Sequence, residues 1–369
     1  MEVMKNKIIE VQEINKKTDY SYSAKNESFL DGLFVPFIVR PLLKVIPYQI
    51  TACFITIFSN ALVFLSLIIA LQAAHGSYFL WFLIPILVFV YVIGDCLDGE
   101  QARRTKTSSP LGEFLDHFLD TFVTGSLLIS LITAYNVKNP ILAAFAIYIS
   151  HLTQASTFWE KYKKHKMHFG KFSSTETILS LTLITSLAGF GKIRDLASIK
   201  LNSFGFIQNS IGSSCPAIAG LSIIEVMMIV MLFFAFINTL ATLIRSGSVS
   251  LRHWAYIILT GAATMFAALT DFQPHPIPLM TLSLLNISYV SALLVAIVMK
   301  KKDPLPDFIL PVAMAVCYFL NFNRSYITVI FFAYILARVL VTATVFFYQN
   351  RRYWLWKNPL PQKDVEKTE

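Results

Sequence analysis

The residues with chemical potential in this sequence are acidic side chains placed inside apolar stretches. Asp95, Asp98, Asp116, Asp120, Glu176, Glu225 and Asp271 all fall in or at the edge of long apolar runs. An ionised side chain is expensive in a bilayer, so each is a functional candidate by default. Four of them share one segment, GDCLDGEQARRTKTSSPLGEFLDHFLDT at 94–121. Asp95 and Asp98 are three residues apart and Asp116 and Asp120 four apart, so each pair shares one face of a helix. The TKTSSP turn folds the second helix back on the first, and the four carboxylates can converge. In a dry setting they repel unless cations neutralise them. Two hard divalent ions on oxygen ligands, about 3.5–4 Å apart, suit such a set. Capping a helix end would explain one such Asp, not four at this spacing.

The neighbours of these carboxylates fit phosphoryl chemistry. Gly99 and Gly112 lack side chains where two helices would otherwise crowd a ligand. Arg103 and Arg104 place cations near a phosphate. A hydroxyl nucleophile needs a base, and His117, whose unperturbed pKa is about 6.5, lies among the carboxylates. Glu113, four residues earlier, is placed to orient its ring. Asp120 is the rival base.

Composition says what must position these groups. The chain has 369 residues, of which 55% are hydrophobic and 14% charged, with a mean hydropathy of +0.60. A soluble domain is about a quarter charged, so disordered, collagen-like and single-core soluble readings fail. The expectation is an all-α polytopic integral membrane protein with about ten transmembrane helices and an interfacial N-terminal helix over FVPFIVRPLLKVI. Spans are expected near 49–72, 78–102, 113–135, 139–159, 175–190, 218–243, 254–271, 278–299, 306–322 and 326–348. With the N-terminus in the cytoplasm, 25 Lys and Arg fall on the cytoplasmic side and five on the other. That bias places the acidic hairpin at the cytoplasmic face. It also accounts for the net charge of +9 without a nucleic-acid partner. The four cysteines stand singly and read as packing residues, and residues 1–30 carry no signal-peptide pattern. The organisation expected is a polar cytoplasmic segment over 1–30, a catalytic core over 31–190, additional helices over 191–350 lining a lipid chamber or making dimer contacts, and a cytoplasmic tail over 351–369.

The spaced pattern D-x2-D-G-x2-A-R-x8-G-x3-D-x3-D is met in full by Asp95, Asp98, Gly99, Ala102, Arg103, Gly112, Asp116 and Asp120. It resembles the signature of the CDP-alcohol phosphatidyltransferases. DGEQARRTKTSSPLGEFLDH, the stretch HFGKFSSTET at 168–177 and the number of spans are similar to the choline and ethanolamine phosphotransferase branch. The resemblance implies transfer of phosphoethanolamine or phosphocholine from CDP-ethanolamine or CDP-choline to diacylglycerol, with release of CMP. It implies that Asp95, Asp98, Asp116 and Asp120 hold two Mg²⁺ or Mn²⁺, and that Gly99, Ala102, Arg103 and Gly112 shape the nucleotide site. The Glu113–His117 pair also resembles that branch, while smaller relatives favour Asp120 as base. In a eukaryote the implied location is the endoplasmic reticulum or Golgi membrane, with a homodimer as the protein assembly.

Two departures bear on the headgroup. Phe118 stands where the branch usually has glycine, and Glu100 where lysine is frequent. Two further residues join the nucleotide-binding candidates: Asn60 in the first span, which could equally bond a neighbouring helix, and Glu176, which could equally cap one. Glu225 and Arg338 are expected to pair. Competing readings are a relative using CDP-diacylglycerol with inositol or serine, and a cation-coupled transporter. The transporter reading calls for polarity spread over several spans and inverted internal symmetry, whereas here the polarity sits in one hairpin.

Overall fold

Apolar runs of about 20 residues, opened by capping residues, set the architecture. In the computed structural model residues 24–26, 28–169, 174–205, 215–270, 274–320, 322–354 and 358 are described; Asp271, most of the N-terminal segment and most of the tail lie outside them. The helices are α1 (Phe29–Phe34), α2 (Arg40–Val45), α3 (Ala52–Ala73), α4 (Leu83–Thr105), α5 (Pro110–Ala134), α6 (Pro140–Lys164), α7 (Ser174–Leu187), α8 (Gly191–Ser198), α9 (Pro216–Ala219), α10 (Ile223–Ser246), α11 (Leu251–Leu269), α12 (Pro276–Val298), α13 (Ile309–Phe319) and α14 (Arg324–Asn350). A π turn, Val35–Val39, joins α1 to α2. The fold is all-α apart from two three-residue strands, β1 (Ala24–Asn26) and β2 (Met167–Phe169), paired in parallel.

Each of the ten expected spans coincides with one of these helices. Among the described residues, seven helices are long and apolar enough to cross a membrane: α3, α4 with the turn before it, α5, α6, α10, α12 and α14. The other three fall short for separate reasons. α7 has 14 residues and α13 has 11. α11 has 19, but Arg252 and His253 in its first turn lower its hydropathy.

Local chemistry explains the acidic hairpin. α4 ends on Lys106 in the left-handed region (φ 56°), and Lys106 N–H and Thr107 N–H return to the carbonyls of Arg103 and Ala102. Three residues later Ser109 caps α5, accepting from Gly112 N–H at 3.2 Å, with Pro110 at the first helical position. The chain thus reverses between Thr105 and Pro110 without leaving helix ends unsatisfied.

The two halves are packed together. α3 lies against α4 and α5, while α12 packs against α5, α6 and α14. Two glycines permit the closest approaches. A Cβ on Gly94 of α4 would lie 2.6 Å from Ser59 Cβ on α3, and one on Gly125 of α5 would lie 2.2 Å from Ser283 Oγ on α12. Phe346 of α14 sits 4.1 Å, centroid to centroid, from Phe114 of α5. Residue 358 of the tail returns to the segment before α3: Asn358 N–H donates to Gln49 O, and its side-chain amide donates to Tyr48 O and Ile50 O.

The Gly94–Ser59 contact is directly testable. Gly94→Ala should destabilise the detergent-solubilised protein by about 1–3 kcal/mol through overpacking. Ser59→Gly in the same chain should recover most of the lost melting temperature. No shift for Gly94→Ala would show that α3 and α4 are not locked at this point.

Candidate active site

Both acidic pairs meet at the closed end of the α4–α5 hairpin. Asp95 and Asp98 of α4 face Asp116 and Asp120 of α5, close enough that each pair feels the charge of the other. Asp95 and Asp116 are near neighbours across the two helices. Asp116, His117 and Asp120 form the tightest part: among the described residues they are the one group of three metal-ligating side chains whose donor atoms all lie within 4.8 Å. Asp95 and Asp98 lie beside this group rather than inside it.

Neighbouring hydroxyls hold two of the carboxylates in place. Thr56 of α3 donates to Asp98 Oδ2 at 2.5 Å. Tyr91, one helical turn before Asp95, donates to Asp120 Oδ1 at 2.8 Å. Each carboxylate keeps further lone pairs. Asp116 Oδ1 is buried and has no hydrogen-bond partner among the described residues. An orphaned carboxylate oxygen among other carboxylates is what a hard divalent cation would satisfy, so the donor set fits Mg²⁺ or Mn²⁺.

The proposed nucleotide-side residues divide. Asn60, one turn after Thr56, donates to Thr56 O at 3.0 Å, and its Oδ1 is buried without a partner among the described residues. Gly99 leaves room for the Arg103 guanidinium, which would lie 3.4 Å from a Cβ there. Arg103 is 58% exposed and pairs with Glu100 at 3.0 Å. Ala102 and Gly112 flank the turn, where their backbone groups bond Thr107 and Ser109. Glu176 stands apart: its Oε1 accepts from Ser28 Oγ at 2.8 Å and from Leu30 N–H at 2.9 Å, fastening α1 to α7.

Two expectations are corrected, and Phe118 is placed. Arg104 turns away from the hairpin and bonds Leu43 O and Ile46 O, holding the end of α2. Phe118 is buried in an aromatic row, 5.3 Å from both Phe114 and Phe122. Glu225 does not reach Arg338. It completes a capping box with Ser222 at the start of α10, and Arg338 pairs with Asp307.

Two neighbours of the site were missed by sequence reasoning. Asp31 of α1 accepts from Thr175 Oγ1 at 2.7 Å, and Asp95 feels its charge. Lys161 belongs to a run of lysines that reads as a loop following a span that ends at 159. α6 instead continues to Lys164, and Lys161 turns inward to Glu113 Oε1 at 2.7 Å and His117 Nε2 at 3.3 Å. The available signal was helical register, since Lys161 follows buried Phe158 by three residues.

With this geometry, comparison with known proteins is informative. Residues 48–204, which carry the whole hairpin, match the CDP-alcohol phosphatidyltransferase family. The match spans α3 to α8, the helices that carry and flank the acidic pairs. Cholinephosphotransferase 1 of Rattus norvegicus is 29% identical over 185 residues, 48% of this chain and 46% of the relative. Cholinephosphotransferase 1 of Gallus gallus is 27% identical over 184 residues, 48% of this chain and 55% of the relative. A CDP-alcohol phosphatidyltransferase class-I family protein of Schizosaccharomyces pombe is 29% identical over 211 residues, 52% of each chain. The chain thus matches about half the length of these relatives. The matched region ends shortly after α8, so α9 to α14 lie beyond it.

Glu176 gives a local test. Glu176→Ala should speed amide exchange of Phe29–Phe34, read by hydrogen–deuterium exchange, because α1 loses both bonds. Glu176→Gln, which keeps an accepting oxygen, should hold exchange close to the unsubstituted protein. Equal exchange in all three chains would remove Glu176 as the fastening of α1.

Proposed function

We propose that this membrane protein transfers phosphoethanolamine or phosphocholine from a CDP-alcohol to the hydroxyl of diacylglycerol, forming phosphatidylethanolamine or phosphatidylcholine and releasing CMP. The observation that carries this reading is the convergence of Asp116, His117 and Asp120 opposite Asp95 and Asp98, inside the region that matches the CDP-alcohol phosphatidyltransferase family. The similarity to proteins named cholinephosphotransferase supports phosphocholine as one of the two headgroups.

In this reading Asp95, Asp98, Asp116 and Asp120 hold two Mg²⁺ or Mn²⁺. Bound there, the ions would supply neutralisation of the diphosphate and of the departing CMP. The chain's own residues do the rest. Thr56 and Tyr91 fix the carboxylates through their hydroxyls, so little reorganisation is left for substrate binding. Arg103, exposed at the hairpin mouth, offers a cation to the diphosphate. Asn60 Oδ1 offers an acceptor toward the nucleotide. The lipid hydroxyl gives its proton to His117 or Asp120 as it attacks the phosphorus bearing the headgroup. An active site at the cytoplasmic face of an endoplasmic reticulum or Golgi membrane would meet the soluble nucleotide from one side and the lipid from the other.

Purified protein with labelled CDP-choline or CDP-ethanolamine and diacylglycerol should release CMP, and excess EDTA should stop it; full activity in EDTA would remove the metal from the reaction. Asp95→Ala, Asp98→Ala and Asp116→Ala should each abolish turnover while leaving the protein extractable.

The candidate bases separate by a second comparison. His117→Ala should slow transfer by about 10²–10⁴-fold if the ring is the base. Asp120→Asn should then act chiefly by weakening metal binding, with partial recovery at high Mg²⁺. An active His117→Ala, together with an Asp120→Asn that binds metal normally but is dead, would assign the base to Asp120.

A further inference from the structure

Among the described residues Lys161 is the one lysine or arginine that is buried, at 5% exposure. A buried ammonium is costly unless paired, and this one is paired with Glu113 Oε1 at 2.7 Å. Its second neighbour is His117 Nε2 at 3.3 Å. Glu113 and His117 are one turn apart on α5, on either side of Asp116, so the last turn of α6 is tied directly to the acidic face of the hairpin.

The geometry has a chemical consequence for the imidazole. An ammonium has three donors and no acceptor, so Nε2 must be the accepting nitrogen in this contact. The neutral ring then carries its proton on Nδ1, which faces Asp116 Oδ2 at 3.5 Å, and Nε2 can take a proton from the lipid hydroxyl only as Lys161, still paired with Glu113 at 2.7 Å, gives up its longer 3.3 Å contact with the ring. The Phe158 ring, 5.5 Å away between centroids, packs beside the imidazole. Charge is the second consequence. Glu113 would be a fifth carboxylate beside Asp95, Asp98, Asp116 and Asp120, and Lys161 cancels it.

We propose that Lys161 is a positioning residue for the transfer reaction: it sets the orientation and tautomer of His117 and neutralises Glu113, so that the four aspartates alone set the site's demand for divalent cations. This rests on the phosphotransferase reading for its effect on turnover but not for its effect on cation binding.

The test uses full-length protein in detergent, with Mn²⁺ titrated by electron paramagnetic resonance and turnover measured alongside. Lys161→Met leaves Glu113 uncancelled, so Mn²⁺ should bind about 3- to 30-fold more tightly. Adding Glu113→Gln should bring the affinity back to within about twofold of the starting value. A lysine that only packs would leave Mn²⁺ affinity unchanged or weaken it, and either result overturns the proposal. For turnover, Lys161→Met should lower kcat by about 10–100-fold with KM for the CDP-alcohol within about threefold. In a His117→Ala background the same change should cost less than about twofold, because the group it acts through is gone. Full multiplication of the two losses would place the action of Lys161 elsewhere and overturn the assignment.

Should Lys161→Met fail to yield monodisperse protein, Lys161→Gln takes its place. It keeps a donor for Nε2 without the charge, so it should still tighten Mn²⁺ while losing less in kcat; unchanged Mn²⁺ affinity in that variant overturns the proposal as well. If the unsubstituted protein turns over neither CDP-alcohol, the phosphotransferase reading falls, and the Mn²⁺ titrations still decide the role of Lys161.

Discussion

Four carboxylates pressed together in an apolar hairpin repel one another, and much of the structure around them serves to hold them there. Like charges at close range in a low-dielectric setting cost several kcal/mol unless something of opposite sign or a donor hydrogen answers them. The chain supplies its answers from several directions. Thr56 comes from α3, Tyr91 from α4 and Lys161, by way of Glu113 and His117, from α6. What these groups leave unanswered, Asp116 Oδ1 above all, is the part that calls for cations.

The rest of the fold is arranged to keep those helices from moving apart. Gly94 lets α3 approach α4 closely, and Gly125 does the same for α5 and α12. Arg104 holds the end of α2, and Glu176 holds α1. On the far side of α6, Glu160 pairs with Arg245 of α10 at 3.3 Å. Residues beyond the matched domain therefore contribute to it: α12, α14 and Asn358 all touch elements that carry or precede the acidic pairs.

Much of this was legible from residue types alone, for a physical reason. Hydrophobic runs long enough to cross a bilayer have few alternatives to helix, so seven of the ten expected spans are helices of that length among the described residues, and the other three coincide with helices that are shorter or less apolar. The turn between the acidic pairs was equally readable, since Ser109 and Pro110 are strong starting residues for a helix. Pairings between distant segments were not. Arg338 could have met any acidic residue near its depth, and nothing in the sequence selects Asp307 over Glu225. Lys161 was hidden for a different reason: a lysine among lysines reads as solvated, and only the extra turn of α6 shows which one faces inward.

The bond from Asn358 to the segment before α3 links the order of synthesis to completion of the site. The helices that carry the acidic pairs are made first, and the segment that leads into Thr56 gains backbone partners from Asn358, which is made after all the described helices. At about 5–20 residues per second, the interval between finishing the matched domain and reaching residue 358 is on the order of 10–30 seconds. For that time the segment before α3 lacks these bonds, and a nascent chain stopped after α8 would hold the whole motif without the contact that pins the entry to α3.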